Sequence, residues 1–457
     1  MPANTGYQTG GVDITSTRIS KDYGINIYQN LSAAHKAPHV FFWGRRIESS
    51  GFTYTASTPF LYLFVDDASG RRPANTDWKQ IDCCGSRGTY PLDEPVLYEG
   101  TKETANTPGV AAGIKSNGTL WTWGGDNYSG SEGNTWRMGD PTIGNLNREY
   151  PTQVGTSTTW KQISVGYGAS AAIKTDGTLW AWGAEYKYWT FAGRSSPTQE
   201  IGGGTDWKQV SYGDGQLLAI KANTTLWAYG RSFYGELGTN TWYSGAPAGS
   251  VGAETSSFVQ IGNSQGWKQV SCGQRHSAAV KYDGTLWTWG KNKYGQLGIE
   301  LTYPTTIANT SSPAQTIIGG NDWSLVSCGP FNTAAIKQDG SLWIWGSNAY
   351  GQVGNGKSAL GDNLPEEENV PYPYKVPGQN WRQVICGYHL ITALKTDGSL
   401  WSWGFNGVGC LGDGTYISKS SPVQISGGNN WKFICGKGST QILAIKDLLN
   451  KPDGYNV

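Results

Sequence analysis

Only two methionines and four histidines occur among the 457 residues, and charged residues make up just 15% of the chain. So few imidazoles leave little material for acid–base or metal chemistry. Lys plus Arg is 35 against 34 for Asp plus Glu, a net charge of +1, and no basic run or basic tail is present. The long-range attraction that phosphate-backbone binding draws on is therefore missing, and nucleic acid is not an expected partner. No stretch approaches the ~20 apolar residues of a membrane span, so membrane insertion is not expected. The opening segment MPANTGYQTGGVDITSTR lacks the apolar core of a signal peptide, which predicts synthesis in the cytoplasm without export by that route. Seven cysteines, an odd count, exclude a complete disulfide framework. Cys272, Cys328 and Cys386 each sit before Gly and five residues after a Trp, at a slot where other repeats carry Val165 or Tyr212. A slot that accepts Cys, Val or Tyr is a packing position. No Cys pair or His lies at metal-ligand spacing, so neither metal nor cofactor is expected.

What the chain has in quantity is glycine, 65 residues, and tryptophan, 22 residues. The tryptophans fall into two recurrent phrases. One is Trp-Lys-Gln-hydrophobic, at Trp78, Trp160, Trp207 and Trp267, with looser versions at Trp323, Trp381 and Trp431. The other is LWTWG at 120–124 and 286–290, LWAWG at 179–183, LWAYG at 226–230, LWIWG at 342–346 and LWSWG at 400–404. From Trp160 to Trp401 the first phrase leads the second by a constant 20 residues, while the return distance varies. A fixed part and an elastic part describe one structural unit with loops inserted on one side.

The fixed part predicts three strands. WKQVS alternates apolar and polar residues; a short apolar run ending in Lys follows, such as AAVK at 278–281; Asp-Gly then supplies a tight turn before LWTWG. A fourth strand precedes WKQ: PTQV at 151–154, PTQEI at 197–201, PAQTI at 313–317 and PVQI at 422–425. Four short antiparallel strands per ~50 residues predict an all-β chain of propeller blades, with Trp filling the wedge between neighbouring sheets. The last unit, PVQI–WKFICG–ILAIK, stops at Lys446 without its fourth strand, and HVFFWG at 39–44 has the missing shape. The expectation is a seven-bladed β-propeller whose ring is closed by an N-terminal strand completing the last blade. Residues 39–447 would form the propeller, 1–38 an N-terminal arm and 448–457 a tail. Apart from Trp43 and the two phrases, the chain holds only Trp136, Trp189 and Trp242, so the repeated indoles are expected to be inter-blade anchors.

KYDGTLWTWGKNKYGQLG (281–298), KQDGSLWIWGSNAYGQVG (337–354) and KTDGSLWSWGFNGVGCLG (395–412) resemble the repeat of the regulator of chromosome condensation family. That resemblance implies a seven-bladed propeller. Three functions go with such propellers: guanine nucleotide exchange on a small GTPase, inhibition of a secreted enzyme, and structural roles in tailed phages, cyanophages in particular. Residues 9–31, TGGVDITSTRISKDYGINIYQNL, are similar to the segment that precedes the propeller in the phage proteins. The resemblance therefore implies a non-enzymatic virion structural protein, tail- or capsid-associated, made in the host cytoplasm. Its arm would dock on other virion proteins through Val12, Ile14, Tyr23, Ile27, Tyr28 and Leu31. Its propeller would be displayed for contact with a host-surface glycan or protein. The alternative is a soluble protein-binding propeller, either an inhibitor or an exchange factor.

No catalytic set stands apart from the repeat. His276 and His389 lie in corresponding turns before a strand, and Asp176, Asp283, Asp339 and Asp397 are turn formers. The expected surface contacts are aromatic: Trp136, Trp189, Trp242, Tyr243, Tyr372 and Tyr374, all read as lying in the elastic loops. The insertion at 86–109 is a further candidate contact loop.

Overall fold

The computed structural model describes residues 7–9, 12–14, 39–47, 53–61, 77–84, 110–124, 138–140, 148–183, 194–199, 204–241, 253–300, 308–358 and 369–446. Six four-stranded antiparallel blades are each built from four consecutive strands. In the second blade these are Trp160–Val165, Ala169–Lys174, Leu179–Gly183 and Arg194–Gln199. The blades that begin at Trp78, Trp207, Trp267, Trp323 and Trp381 repeat this order. First strands of successive blades adjoin one another and run nearest the axis, whereas the Pro-x-Gln strands form the outer rim.

The expectation of seven blades, the last completed by one N-terminal strand, is corrected here. Six blades are continuous in sequence. The remaining four-stranded sheet is a composite of Trp431–Cys435, Gln441–Lys446, His39–Ile47 and Thr53–Leu61. It takes two strands from the N-terminal side, not one. The cause is the phase of the repeat: each Pro-x-Gln strand pairs with the LWxWG strand before it, as Thr198 does with Ala181 and Val423 with Ser402. PVQ at 422–424 thus belongs to the sixth blade, and the closing sheet needs a rim strand of its own. The expected closing pairing itself is present, with Val40 opposite Ile445 and Trp43 opposite Ile442. This pairing covers the edge that Gln441–Lys446 would otherwise expose.

Each interface between neighbouring sheets holds its own apolar cluster. Leu218, Ile220 and Leu226 of the third blade meet Trp267, Val270, Cys272 and Trp289 of the fourth. The Trp of WKQ and the second Trp of LWxWG lie on one flank of their sheet and fill the wedge against the preceding blade. The second Trp also donates its indole N–H backwards: Trp345 Nε1 to Gln296 O at 2.9 Å and Trp403 Nε1 to Gln352 O at 3.0 Å. The GQLG turn owes its last glycine to this contact. A Cβ on Gly298, whose φ is +59°, would lie 2.8 Å from Trp345 Nε1.

The first Trp of LWxWG behaves differently. It is half-buried, and its N–H goes to the turn, as Trp287 Nε1 donates to Thr285 Oγ1 at 2.9 Å while Thr285 Oγ1 donates to Asp283 Oδ1 at 2.7 Å. The repeated Lys lies over both rings: Lys281 Nζ is 4.7 Å from the Trp267 centroid and 4.7 Å from that of Trp287. The Trp of WKQ is therefore both an inter-blade anchor and one side of the lysine sandwich, and the half-buried first Trp of LWxWG forms the other side.

The polar residues of WKQ-x-S join the blades. Gln269 Nε2 donates to Val326 O at 2.8 Å, and Val326 N–H returns a bond to Gln269 Oε1 at 2.8 Å. Ser271 Oγ accepts the N–H of Cys328 at 3.0 Å. The same reciprocal amide bond links Gln80 to Ile163, Gln162 to Val210, Gln209 to Val270 and Gln383 to Ile434. These bonds tie inner strands whose own ladders lie within their sheets.

Candidate functional site: an aromatic ridge on one face

In an antiparallel blade the first strand ends, and the third strand ends, on the same side of the ring. The turns from first to second strand and the loops from third to fourth therefore share one face. On that face an aromatic series crosses three blades. Tyr294 meets Phe331 with ring centres 5.4 Å apart. Phe331 stacks on His389 at 4.7 Å and lies 5.7 Å from Tyr388. Tyr350 continues from His389, at 4.9 Å, to Phe405, at 5.1 Å. All six rings are half-buried, so each keeps part of its surface toward solvent. His389 holds a left-handed backbone, φ +58°, which turns its ring into the series.

A cationic flank adjoins the ridge. Arg231 and Arg275 both lie over Phe233, at 5.0 and 4.9 Å, and Lys291 lies 5.0 Å from the Tyr234 ring. Lys293 stands 5.6 Å from Tyr294, the first ring of the ridge. Arg275 is fixed from beneath by Asp214 Oδ2 at 3.3 Å and Glu236 Oε1 at 3.8 Å, both carboxylates being buried. Burial pushes the Glu236 carboxyl up, against the pull of Arg275 and of the Tyr234 N–H. Among the described residues no three His, Cys, Asp or Glu are grouped to hold a metal. The arrangement offers stacking and charge.

Of the residues expected at the surface, Trp136, Trp189, Trp242 and Tyr243 lie outside the described residues, as does the 86–109 insertion. Tyr372 and Tyr374 are not in a loop: they belong to the rim strand Val370–Lys375, where Tyr374 pairs with Ile344. Tyr372 is exposed, and Tyr374 packs against the cluster that contains Trp381 and Trp403. In the arm, Val12 and Ile14 fall in the short strand Val12–Ile14, which pairs with Tyr7–Thr9; Tyr23, Ile27, Tyr28 and Leu31 lie outside the described residues. The ridge residues are ones that sequence reasoning missed as a site. Their signal was a column, Arg275, Phe331 and His389 at one turn position, with Tyr294 and Tyr350 at another.

His276 begins the strand His276–Lys281 fully buried, with Nε2 2.9 Å from Thr333 Oγ1 of the next blade. Burial drives its pKa down to about 3. A depressed histidine favours the fold above its ordinary pKa of 6.5, and that contribution is lost as pH falls from 6.5 toward about 3. Between pH 6.5 and 4 the loss amounts to about 3 kcal/mol. Asp82, raised to about 6 by burial, works in the opposite sense, its cost easing as pH falls through 6. Thermal melts across this range should show His276→Gln with a flatter acid limb than the parent. Equal slopes would place His276 in water.

A sequence model described as the RCC1-like domain matches residues 98–445 of this chain. The chain belongs to the RCC1-like domain family. Among curated relatives, the RCC1-like chain is 32% identical over 177 residues to the ultraviolet-B receptor UVR8 of Arabidopsis thaliana, covering 37% of each. It is 29% identical over 183 residues to the human E3 ubiquitin-protein ligase HERC2, covering 39% of this chain and 4% of the ligase. The matches thus span well under half the length of these relatives. Among solved structures, the yeast RCC1 (Prp20) bound to Kap60 superposes with a TM-score of 0.69 at 17% identity, over 98% of this chain and 97% of that one. Human WBSCR16 gives 0.62 at 17% identity, over 90% and 99%. At such identities the superpositions show a shared RCC1-like fold.

Proposed function

We propose that this chain is a non-enzymatic protein-binding propeller and that the aromatic ridge with its cationic flank is its contact face. The observation that carries the reading is the continuity of Tyr294, Phe331, His389, Tyr350 and Phe405 along one face of a ring tied together blade by blade. Rings with one side packed and one side toward solvent, next to fixed Arg and Lys, have the composition of interface anchors. A solved relative points in the same direction: Prp20p from Saccharomyces cerevisiae has binding properties toward Gsp1p and histones. A photo-crosslinking residue at Phe331, compared with one at Tyr282 on the opposite turn, tests this. Partner adducts are expected from position 331, and adducts from position 282 alone would refute the assignment of the face.

The narrower reading is a phage virion component, with the arm bound to other virion proteins and the propeller displayed toward a host-surface glycan or protein. Its support is the resemblance of residues 9–31 to the segment preceding the propeller in phage structural proteins. Mass spectrometry of purified particles is the corresponding measurement: the chain is expected at stoichiometric levels in intact particles, and its confinement to soluble lysate would end that reading.

A further inference from the structure

The seam that closes the ring is built unlike the others. At the remaining seams a first-strand Gln, a Ser, or both reach across to the next blade. Ser164, Ser211, Ser271 and Ser327 accept the N–H of Tyr212, Cys272, Cys328 and Cys386, and Asp82 does the same for Val165. In the closing sheet WKQVSCG has become WKFICG, so Phe433 stands in the Gln slot and Cys435 in the Ser slot. Phe433 cannot make the reciprocal amide bond. Cys435 instead places its Sγ 3.3 Å from Cys83 Sγ of the first blade. Both thiols are buried, in one apolar cluster with Val40, Trp78, Trp123 and Leu443.

We propose that Cys83 and Cys435 are a covalent modification site, an oxidisable pair that locks the ring at its closing seam. Three of the other five cysteines are turned to the backbone instead. Cys272, Cys386 and Cys410 direct their thiols at the backbone oxygens of Ser211, Ser327 and Phe405, at 3.1, 3.4 and 3.0 Å. The oxidant is a peroxide. One sulfur attacks the peroxide oxygen, the O–O bond breaks and water leaves. The second sulfur then displaces the hydroxyl of the resulting sulfenic acid as a second water. One S–S bond forms, two S–H bonds are lost, and two electrons pass to the peroxide. The sulfurs must close from 3.3 Å to about 2.05 Å, a shift of roughly 1 Å that two side chains can supply. The residues lie 352 apart in sequence, so the bond would join the two ends of the propeller and restrict the unfolded chain strongly.

The test is hydrogen peroxide treatment of the full chain, followed by alkylation under denaturing conditions, peptide mapping and thermal melts. The expected result is a Cys83–Cys435 linked peptide pair and a Tm raised by roughly 5 °C, both reversed by dithiothreitol. Cys435→Ser supplies the hydroxyl that other seams use; it should fold with the parent's reduced Tm and show no oxidative rise. Cys83→Ser should likewise show none. Full alkylation of both cysteines after peroxide overturns the proposal, as does an oxidative Tm rise that survives in Cys435→Ser.

Discussion

Trp345→Ala should lower the unfolding free energy by about 3–5 kcal/mol in chemical denaturation, the range for losing a buried Trp. Trp345 is fully buried in the seam between the fourth and fifth blades with Ala278, Val280 and Leu286. Its removal opens a cavity that two facing sheets cannot close, because each is held by its own ladder. It also deletes the N–H that reaches Gln296 O. Trp345→Phe keeps most of the apolar volume and loses the donor, so about 1–2 kcal/mol is expected. Trp343→Ala, two residues away, should cost less than half as much as Trp345→Ala. Its ring is half-buried, and it shares the lysine sandwich with Trp323 at 6.2 Å. Equal losses at the two positions would refute the division of labour between the two indoles of LWxWG.

Removing residues 1–47 should be the most damaging truncation short of entering the blades. It takes away His39–Ile47, leaves Gln441–Lys446 as a bare edge, and strands Thr53–Leu61 without a neighbour. Val40, wholly buried in the cluster at the closing seam, goes with it. A fall in Tm of more than about 10 °C, with aggregation through the exposed edge, is the expected outcome. Removing residues 1–38 spares every strand of the closing sheet and should leave the Tm nearly unchanged. If the two truncations melt alike, the composite sheet is not what closes the ring.

The family follows from the repeat, and so do the Trp wedge and the closure by residues 39–44, because a period of ~50 residues with fixed internal spacing admits few folds. The blade phase was not legible in the same way. Pro-x-Gln lies next to WKQ in the chain, and only the backbone pairing of Val423 with Ser402 assigns it to the blade before. The ridge was equally hidden. Tyr294 and Tyr350 precede the GQLG-type turn in register and so read as scaffold, Phe331 carries no signal of its own in a single repeat, and the proximity of these rings is a relation between blades.

By itself, then, the sequence determined the kind of unit and its spacing, since alternation, Asp-Gly turns and bulky indoles act within a few residues. The tertiary structure decided which strands share a sheet, which indole faces a neighbour, and which side chains meet across a seam. Those contacts join residues from about 50 to more than 350 positions apart. Local propensity carries no information over such separations, and closing the ring sets them all at once.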